Sequence, residues 1–409
     1  MTSDVLISGA GIAGPALAYW LGRYGFRPTV VEIAPAPREG GQAVDFRGET
    51  HLTVLERMGL LPELRRIQTG GSPMTFVDER GAALLELPGE FNGGAVEVPR
   101  GDLSRLLYEH SLPYTDYLFG DTVTGLTQTP GRVDVTFRHA APRTFGLVIG
   151  ADGLHSHVRR LAFGPERDFV THLGYYAATW ELPNHLGLAH GSVGLNVPGR
   201  LAAVGAGHRE PGLARTLFVF ASPELAYHRH DPEQQKRLIA DAFAGLGWEV
   251  PRLLDSLHEA ADLYFDSISR ADAPRWSTGR VALIGDAASG TTLGGMGTGT
   301  GIVAAHVLAG ELALAGGDHR TAFARYQDRL SRYARICRRG NAGRFLAPRT
   351  RYGLRLRNGL LSRPLLMNGL LGATERVATA DLPDYPHPDA DVPSAVHTAK
   401  GTSGSRSGR

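Results

Sequence analysis

The first 32 residues carry the pattern that most limits what this chain can fold into. A short apolar strand, Val5-Leu6-Ile7-Ser8, runs directly into Gly9-x-Gly11-x-x-Gly14, and a second strand ends at Glu32. This order predicts a βαβ unit in which glycines let the backbone approach a pyrophosphate at the start of a helix. Glu32, 21 residues after Gly11, can accept both hydroxyls of an adenosine ribose. It also disfavours a 2′-phosphate, so NADP is a poor occupant of this site.

Two more glycine-rich segments follow predicted buried strands. Asp152-Gly153 follows the strand at 145–149, and Gly285-Asp286 follows the strand at 280–284. A plain NAD dehydrogenase does not need three such loops, whereas a protein that binds a longer dinucleotide does. Asp286 can accept from a hydroxyl on the ribityl or pyrophosphate side. A helix that begins near Gly297-Thr298-Gly299 offers free N–H groups to the N1–C2=O edge of a reduced flavin.

The order of these segments predicts an α/β fold with a discontinuous Rossmann-like domain. We expect an FAD-binding domain from 1–70, 97–165 and 270–320, and a substrate-binding β-sheet domain from 71–96 and 166–269 inserted into it. Helices are expected over 321–385 and a disordered tail over 386–409. Asp231-Pro232 predicts the start of a helix over 232–246.

Composition excludes several classes of protein. The net charge of +2 is too small to indicate a nucleic-acid binder. The single cysteine, Cys337, allows neither an intrachain disulfide nor a cysteine-based metal cluster, and no metal site is predicted. There is no run of 18 apolar residues and no signal-like segment before the first strand, so we expect a cytoplasmic protein without stable membrane insertion.

Taken together, the three loops resemble those of the group A flavin monooxygenases, the family typified by para-hydroxybenzoate hydroxylase. The chain is similar in particular to tetracycline-inactivating monooxygenases and to actinobacterial hydroxylases of antibiotic biosynthesis. The resemblance is strong over residues 1–310 and loose over 310–385. It depends on the glycine motif with Glu32, on Asp152-Gly153 with Ser156 and Arg159, and on Gly285-Asp286.

The resemblance implies which residues hold FAD. Arg100 matches an arginine that opens a helix and contacts the flavin. Asp45 and Arg47 match a segment beside the isoalloxazine, although a strand and turn without flavin contact is the alternative. The implied set is Gly9, Gly11, Ala13, Gly14, Glu32, Asp45, Arg47, Arg100, Asp152, Asp286, Gly297, Thr298 and Gly299. One segment departs from the family: Ser289–Leu293 contains no proline, which predicts a more flexible loop near the flavin.

The implied reaction is hydroxylation of an aromatic or polyketide-like small molecule. Transient NADPH or NADH would reduce the flavin, and O₂ would then form a C4a-hydroperoxide that transfers one oxygen. Epoxidation, Baeyer-Villiger oxidation, desaturation and a non-catalytic FAD-fold protein stay open as alternatives. Halogenation is disfavoured, because Trp180-Glu181-Leu182-Pro183 only faintly matches the halogenase element.

The substrate is expected between the inserted sheet and the flavin, in a monomer or homodimer. No catalytic base is assigned. The candidates by residue type are His172, His185, His190, His208, His228 and His230, and each is more simply a surface or structural histidine. Four aromatic residues either line the cavity or belong to the core: Tyr175, Tyr176, Trp180 and Phe220.

The segment 320–357 holds twelve arginines and one acid, Asp328. Its main interpretation is a solvated helix face packed on the FAD domain. The alternatives are attraction of NADPH, of an acidic partner or of an anionic membrane surface.

Overall fold

The computed structural model describes residues 4–37, 40–41, 43–207, 210–293, 296–367, 369, 379–380 and 382–385. The predicted tail over 386–409 and the candidate His208 lie outside these residues.

The described residues include twenty strands and twelve α-helices. The strands are β1 (Asp4–Ser8), β2 (Arg27–Glu32), β3 (Ala43–Phe46), β4 (Met74–Val77), β5 (Ala83–Leu87), β6 (Val96–Pro99), β7 (Asp116–Phe119), β8 (Val123–Gln128), β9 (Val133–Phe137), β10 (Arg143–Phe145), β11 (Leu147–Gly150), β12 (Val170–Thr179), β13 (Glu181–Pro183), β14 (Ser192–Val197), β15 (Arg200–Ala206), β16 (Leu213–Ala221), β17 (Tyr264–Asp272), β18 (Ser277–Thr278), β19 (Val281–Leu283) and β20 (Ser289–Thr291). The helices are α1 (Ala13–Arg23), α2 (Gly48–Arg57), α3 (Leu61–Arg66), α4 (Gly89–Gly93), α5 (Arg100–Ser111), α6 (His157–Ala162), α7 (Pro232–Phe243), α8 (Val250–Glu259), α9 (Gly297–Leu314), α10 (His319–Cys337), α11 (Ala342–Leu346) and α12 (Arg351–Leu361).

A six-stranded sheet carries the nucleotide-binding loops. Its order is β18-β19-β11-β1-β2-β7, and every neighbouring pair is parallel except β18-β19. Strands β1, β11 and β19, which precede the three glycine-rich loops, are adjacent and almost completely buried. Because parallel strands end at the same edge of a sheet, all three loops emerge side by side. The predicted Rossmann-like α/β fold is confirmed.

A nine-stranded sheet lies beyond this one. Its main order is β20-β17-β12-β16-β15-β14-β4-β5, with β13 paired to β16. One face packs on α7 and α8 through an aromatic core that contains Trp180, Phe218 and Phe243. The opposite face carries Tyr175, Ile268 and other apolar side chains, and is partly covered by residues of α11 and by Met367.

The predicted flexible loop at Ser289–Leu293 is wrong over its first three residues. Ser289–Thr291 form β20, which pairs antiparallel with β17 through the register Ala271↔Gly290. Thr291 Oγ1 also donates to the Arg338 carbonyl at 3.0 Å, and Arg338 Nη1 donates to Ser289 Oγ at 2.9 Å. Pairing with a sheet edge, which cannot be seen from local sequence, holds this segment.

The helix predicted over 232–246 is confirmed in its start, although it ends earlier, at Phe243. Asp231 is its N-cap and accepts from Gln234 N at 2.9 Å, while Pro232 occupies the first turn. The next helix, α8, was not predicted from the sequence. Helix α9 has the length and apolar character of a membrane span, but 78% of it is buried inside the protein, which is typical of a core helix.

Candidate functional site

The first loop is shaped by two glycines and leaves open space at a third. Gly9 has a φ of +108°, and a Cβ there would lie 2.5 Å from the Ala151 carbonyl oxygen. A Cβ on Gly14 would overlap the carbonyl oxygen of Gly9. A Cβ on Gly11 meets no atom within 4 Å. The first and third glycines therefore serve the protein's own packing, whereas Gly11 borders space that a pyrophosphate can take.

The carboxylate of Glu32 holds this loop from the end of β2. Glu32 is 8% exposed, and its Oε2 accepts from Ala10 N at 2.7 Å while Oε1 accepts from Ala34 N at 3.0 Å. Glu32 thus lies directly beside the glycine turn.

Asp152 organises the second loop. Its carboxylate accepts from Val158 N at 3.0 Å and from the Ser156 hydroxyl, and Ser156 Oγ accepts from Arg159 N at 2.9 Å. Arg159 is 1% exposed, and its guanidinium donates to the carbonyl oxygens of Ala287 at 2.9 Å and Leu154 at 2.5 Å. Arg159 therefore ties the second loop to the third.

Ala13 connects the first loop to the third. A Cβ added to Gly285 or to Gly301 would lie 3.3 Å from the Ala13 methyl group. Helix α1 therefore packs directly on Gly285 and on the first turns of α9. Gly285 has a φ of +57°, in the left-handed region that favours glycine.

Glycines closely surround Asp286 in the third loop. Its side chain is exposed, yet the glycines around it are so close that a Cβ at Gly290 would overlap Oδ1 and one at Gly297 would lie 3.3 Å from it. Enclosure by protein raises the pKa of the Asp286 carboxyl, and the positive charge of Arg100 opposes this. The acid thus faces a narrow, accessible space rather than open solvent.

Arg100 lies near both Asp286 and Tyr264, because its positive charge acts on the pKa of each side chain. Arg100 is the exposed first residue of α5. Tyr264, at the start of β17, is 45% exposed, and enclosure together with the charge of Asp266 raises the pKa of its phenol, which Arg100 lowers and Asp286 raises further. Sequence analysis missed Tyr264, because a tyrosine at the start of a strand carries no motif.

The start of α9 lies where it was predicted. Gly297 is its first residue, and Gly297 and Thr298 are half-buried, while Gly299 is buried against the ring of His51. The first N–H groups of a helix have no partner within it, so they are available to an anion or a carbonyl oxygen. Burial lowers the pKa of His51 to about 4. The neutral ring accepts from Arg47 N at 3.2 Å and contacts the Tyr333 hydroxyl at 2.7 Å.

Asp45 and Arg47 lie in and after β3, close to each other. Their side chains form an ion pair, and Arg47 Nη2 also donates to the Phe91 carbonyl at 2.6 Å. Burial raises the pKa of Asp45, and Arg47 opposes this. Their charges are thus largely engaged with each other.

The candidate histidines have structural or surface positions. His172 Nε2 contacts the Ser222 carbonyl at 3.0 Å and His185 Nε2 contacts Glu249 at 3.1 Å. The remaining described candidates, His190, His228 and His230, are exposed. Among the four candidate aromatics, Tyr176, Trp180 and Phe220 belong to the core beneath α7 and α8, whereas only Tyr175 faces the opposite side of the sheet.

His155, which no motif singled out, joins the two sheets. It follows the Asp152-Gly153 turn, and its ring contacts Glu166 through Nδ1 at 3.0 Å and Asp266 of β17 through Nε2 at 2.9 Å. Burial opposes its charge, but these two carboxylates outweigh burial and raise the pKa of His155.

The geometry agrees with an extended, phosphate-bearing cofactor. Gly11 borders free space, and Glu32 lies beside the glycine turn. In the third loop, Gly290 and Gly297 lie close to the Asp286 carboxylate. In the part of the chain that the structure describes, no three His, Cys, Asp or Glu side chains are grouped to hold a metal ion. The fold and the three loops therefore define a flavin-binding protein of the para-hydroxybenzoate hydroxylase type.

Comparison with known proteins agrees. The family described as "FAD binding domain" matches residues 2–339, and the chain belongs to this family. An uncharacterized protein of Mycobacterium tuberculosis is 43% identical over 329 residues, which cover 79% of this chain and 88% of that protein. A flavin-dependent monooxygenase of Legionella longbeachae is 37% identical over 328 residues, which cover 79% and 83%.

Among solved structures, the tetracycline destructase Tet(51) superposes with a TM-score of 0.81 at 31% identity, over 94% of this chain and 100% of that one. These relatives show that the chain is an FAD-dependent monooxygenase.

Proposed function

We propose that the chain hydroxylates an aromatic or polyketide-like small molecule at the expense of NADPH or NADH. The observation that carries this proposal is that Arg100 lies near both Asp286 of the third loop and Tyr264 of the nine-stranded sheet, so that its charge acts on both. A substrate held on the sheet would lie beside the flavin-binding loops. The relatives named as flavin-dependent monooxygenases and tetracycline destructases favour the same substrate class.

Each residue of the implied FAD-binding set has a proposed part in holding the cofactor. Gly11 and Glu32 would contact the pyrophosphate and adenosine, in a turn whose shape depends on the packing of Gly9, Ala13 and Gly14. Asp286, Arg100 and the N–H groups at Gly297, Thr298 and Gly299 would hold the ribityl chain and flavin. Asp152 acts through Arg159 and Ser156, and the Asp45–Arg47 pair would border the ring. When bound, FAD supplies the hydride acceptor and the activation of O₂.

We also propose that the chain divides into two domains, each built around one large sheet. The six-stranded sheet would be the core of the FAD domain, assembled from 1–70, 97–165 and 270–320, and the nine-stranded sheet that of a substrate domain from 71–96 and 166–269. Strand β20 belongs by pairing to the nine-stranded sheet although it lies within the first domain's range. We further propose a cytoplasmic monomer or homodimer.

The test is oxygen transfer itself. Purified protein should be yellow, and NADPH or NADH oxidation should accelerate with a substrate from a panel of aromatic polyketides and tetracyclines. With ¹⁸O₂, hydroxylation predicts one labelled oxygen in the product. Label from water, or an unlabelled desaturated product, would refute hydroxylation. Gly11→Ala, which should fold without flavin, is the matched control for flavin-independent oxidation.

A further inference from the structure

The C-terminal helix α12 exposes an apolar row that the proposed monooxygenase activity does not use. Tyr352, Leu356 and Leu360 recur every four residues and are 75%, 49% and 44% exposed. Just beyond the helix, Leu365 is 87% exposed and Leu366 is 47% exposed. Large apolar side chains exposed together usually mark a contact with a partner or a membrane. We call these five residues the apolar row.

The other sides of α12 explain why this row points outward. Leu354 and Arg357 are buried. Arg357 Nη2 donates to Asn196 at 2.6 Å, and its guanidinium lies 4.4 Å from the centre of the Phe76 ring. This anchored side fixes the rotation of α12 on the nine-stranded sheet. The apolar row is therefore the exposed side of a docked helix, continued by Leu365 and Leu366, and its members Leu356 and Leu360 also border the cavity between α12 and the sheet.

The exposed charged side chains beside the apolar row are positive. Arg351 and Arg355 are exposed, one helical turn apart, and each immediately precedes a member of the row; Arg363 is exposed beyond the helix. None of these three arginines pairs with an acid among the described residues. No Asp or Glu occurs between Asp328 and Glu375. Positive charge here is thus uncompensated by neighbours in sequence.

The combination of positive charge and apolar surface is also found behind α12. A cavity of about 930 Å³ lies between α11, α12 and the sheet, and both Leu356 and Leu360 line it. The charged residues that line this cavity are all arginines: Arg270, Arg344, Arg349 and Arg357. An amphipathic anion fits this combination of guanidinium groups and apolar walls.

We propose that α12 and the apolar row dock the enzyme onto an anionic lipid membrane surface. An apolar edge beside a basic edge on one short helix suits the interface between acyl chains and phosphate headgroups. A second copy of this chain fits poorly, because a symmetric contact would bring the same arginines against each other. Such docking is peripheral, and it would bring a lipophilic substrate to the enzyme from the bilayer.

Vesicle co-sedimentation of the full-length holoenzyme tests the proposal. Phosphatidylcholine vesicles that contain phosphatidylglycerol should sediment the enzyme at low ionic strength, whereas pure phosphatidylcholine vesicles should not. Arg351→Gln with Arg355→Gln should lower the partition coefficient roughly 25-fold, since each basic residue near an anionic surface contributes about a fivefold factor. Leu365→Ser should lower it about tenfold.

Matched surface variants serve as controls. Arg65→Gln with Arg160→Gln removes two exposed arginines elsewhere, and Leu84→Ser removes an exposed leucine of β5; neither should change binding. All variants should keep their flavin and their activity on a water-soluble substrate. The proposal is overturned if the holoenzyme does not sediment with anionic vesicles, or if the α12 variants bind as well as the controls. If the enzyme does not bind vesicles but forms concentration-dependent dimers that Leu365→Ser abolishes, the apolar row is a contact with a second copy. Binding of an acidic protein without binding of vesicles would also overturn the membrane proposal.

Discussion

The Glu32 carboxylate at the end of β2 accepts a hydrogen bond from the Ala10 backbone N–H at 2.7 Å. Ala10 lies between Gly9 and Gly11, so this bond fixes the glycine turn as well as placing a carboxylate beside it. The same carboxylate accepts from Ala34 N at 3.0 Å. Glu32 therefore has a structural part in addition to its proposed ribose-binding role.

Replacing Glu32 with Gln should affect both stability and FAD binding. The amide can accept at one oxygen only, so one of the two N–H groups loses its partner at a cost on the order of 1–3 kcal/mol. Because the turn and the ribose contact are both disturbed, we expect FAD affinity to fall at least about tenfold. Urea unfolding of the apoprotein and flavin titration would measure the two effects. Unchanged apoprotein stability would contradict the structural part.

Gly11 and Gly14 should respond differently to alanine. A methyl group at Gly14 would overlap the Gly9 carbonyl, so Gly14→Ala should destabilise the apoprotein by about 3 kcal/mol. At Gly11 nothing lies within 4 Å, so Gly11→Ala should fold normally yet lose FAD. Thermal unfolding and flavin content separate the two outcomes. Flavin retained at wild-type affinity in Gly11→Ala would argue against a pyrophosphate at that position.

Arg159 is buried beneath the second and third glycine-rich loops, and we expect it to stabilise the fold. Arg159→Met removes the donors to the Ala287 and Leu154 carbonyls and leaves both without this partner, which should cost about 3 kcal/mol. Arg160, the next residue of α6, is exposed, and Arg160→Met is the control. Equal unfolding midpoints for the two variants would contradict a stabilising role of the Arg159 hydrogen bonds.

His51 predicts a loss of stability in acid. Burial lowers its pKa to about 4, below the ordinary value of 6.5, so the unfolded chain binds the extra proton first. The stabilisation is complete above about pH 6.5 and is lost as the pH falls towards 4, with a loss of about 2 kcal/mol between pH 7 and 5. His51→Gln should be less stable at pH 7.5 but should show a flatter dependence over this range. A parallel dependence for both proteins would exclude His51 as the source.

His155 predicts the opposite sign. Its pKa is raised because the carboxylates of Asp266 and Glu166 outweigh burial. Its stabilisation is therefore complete below the ordinary pKa of 6.5 and is lost as the pH rises through the higher folded value. The difference in unfolding free energy between wild type and His155→Gln should be larger at pH 6 than at pH 9. Urea unfolding at both values measures it, and a difference independent of pH would count against a charged His155.

Part of the site follows from local sequence. Positive φ at Gly9 and Gly285 demands glycine, and the spacing to Glu32 reflects the fixed length of one helix and one strand. Buried strands before each loop were recognisable as apolar runs. Such requirements act over a few residues, so the nucleotide-binding segments and their order can be predicted.

The rest of the site depends on contacts between residues that are far apart in the chain. Tyr264 lies near enough to Arg100 and Asp286 to feel their charges, and His155 contacts Asp266 111 positions later, because packing brings parts of the two sheets together. Ser289–Thr291 became a strand through pairing with β17, against its local character. The direction of alternate side chains likewise separated Tyr175 from Tyr176. Local pattern thus determined the glycine-rich loops, whereas packing between distant elements decided which side chains surround the proposed flavin site, since contacts between the sheets leave no periodic signal in the sequence.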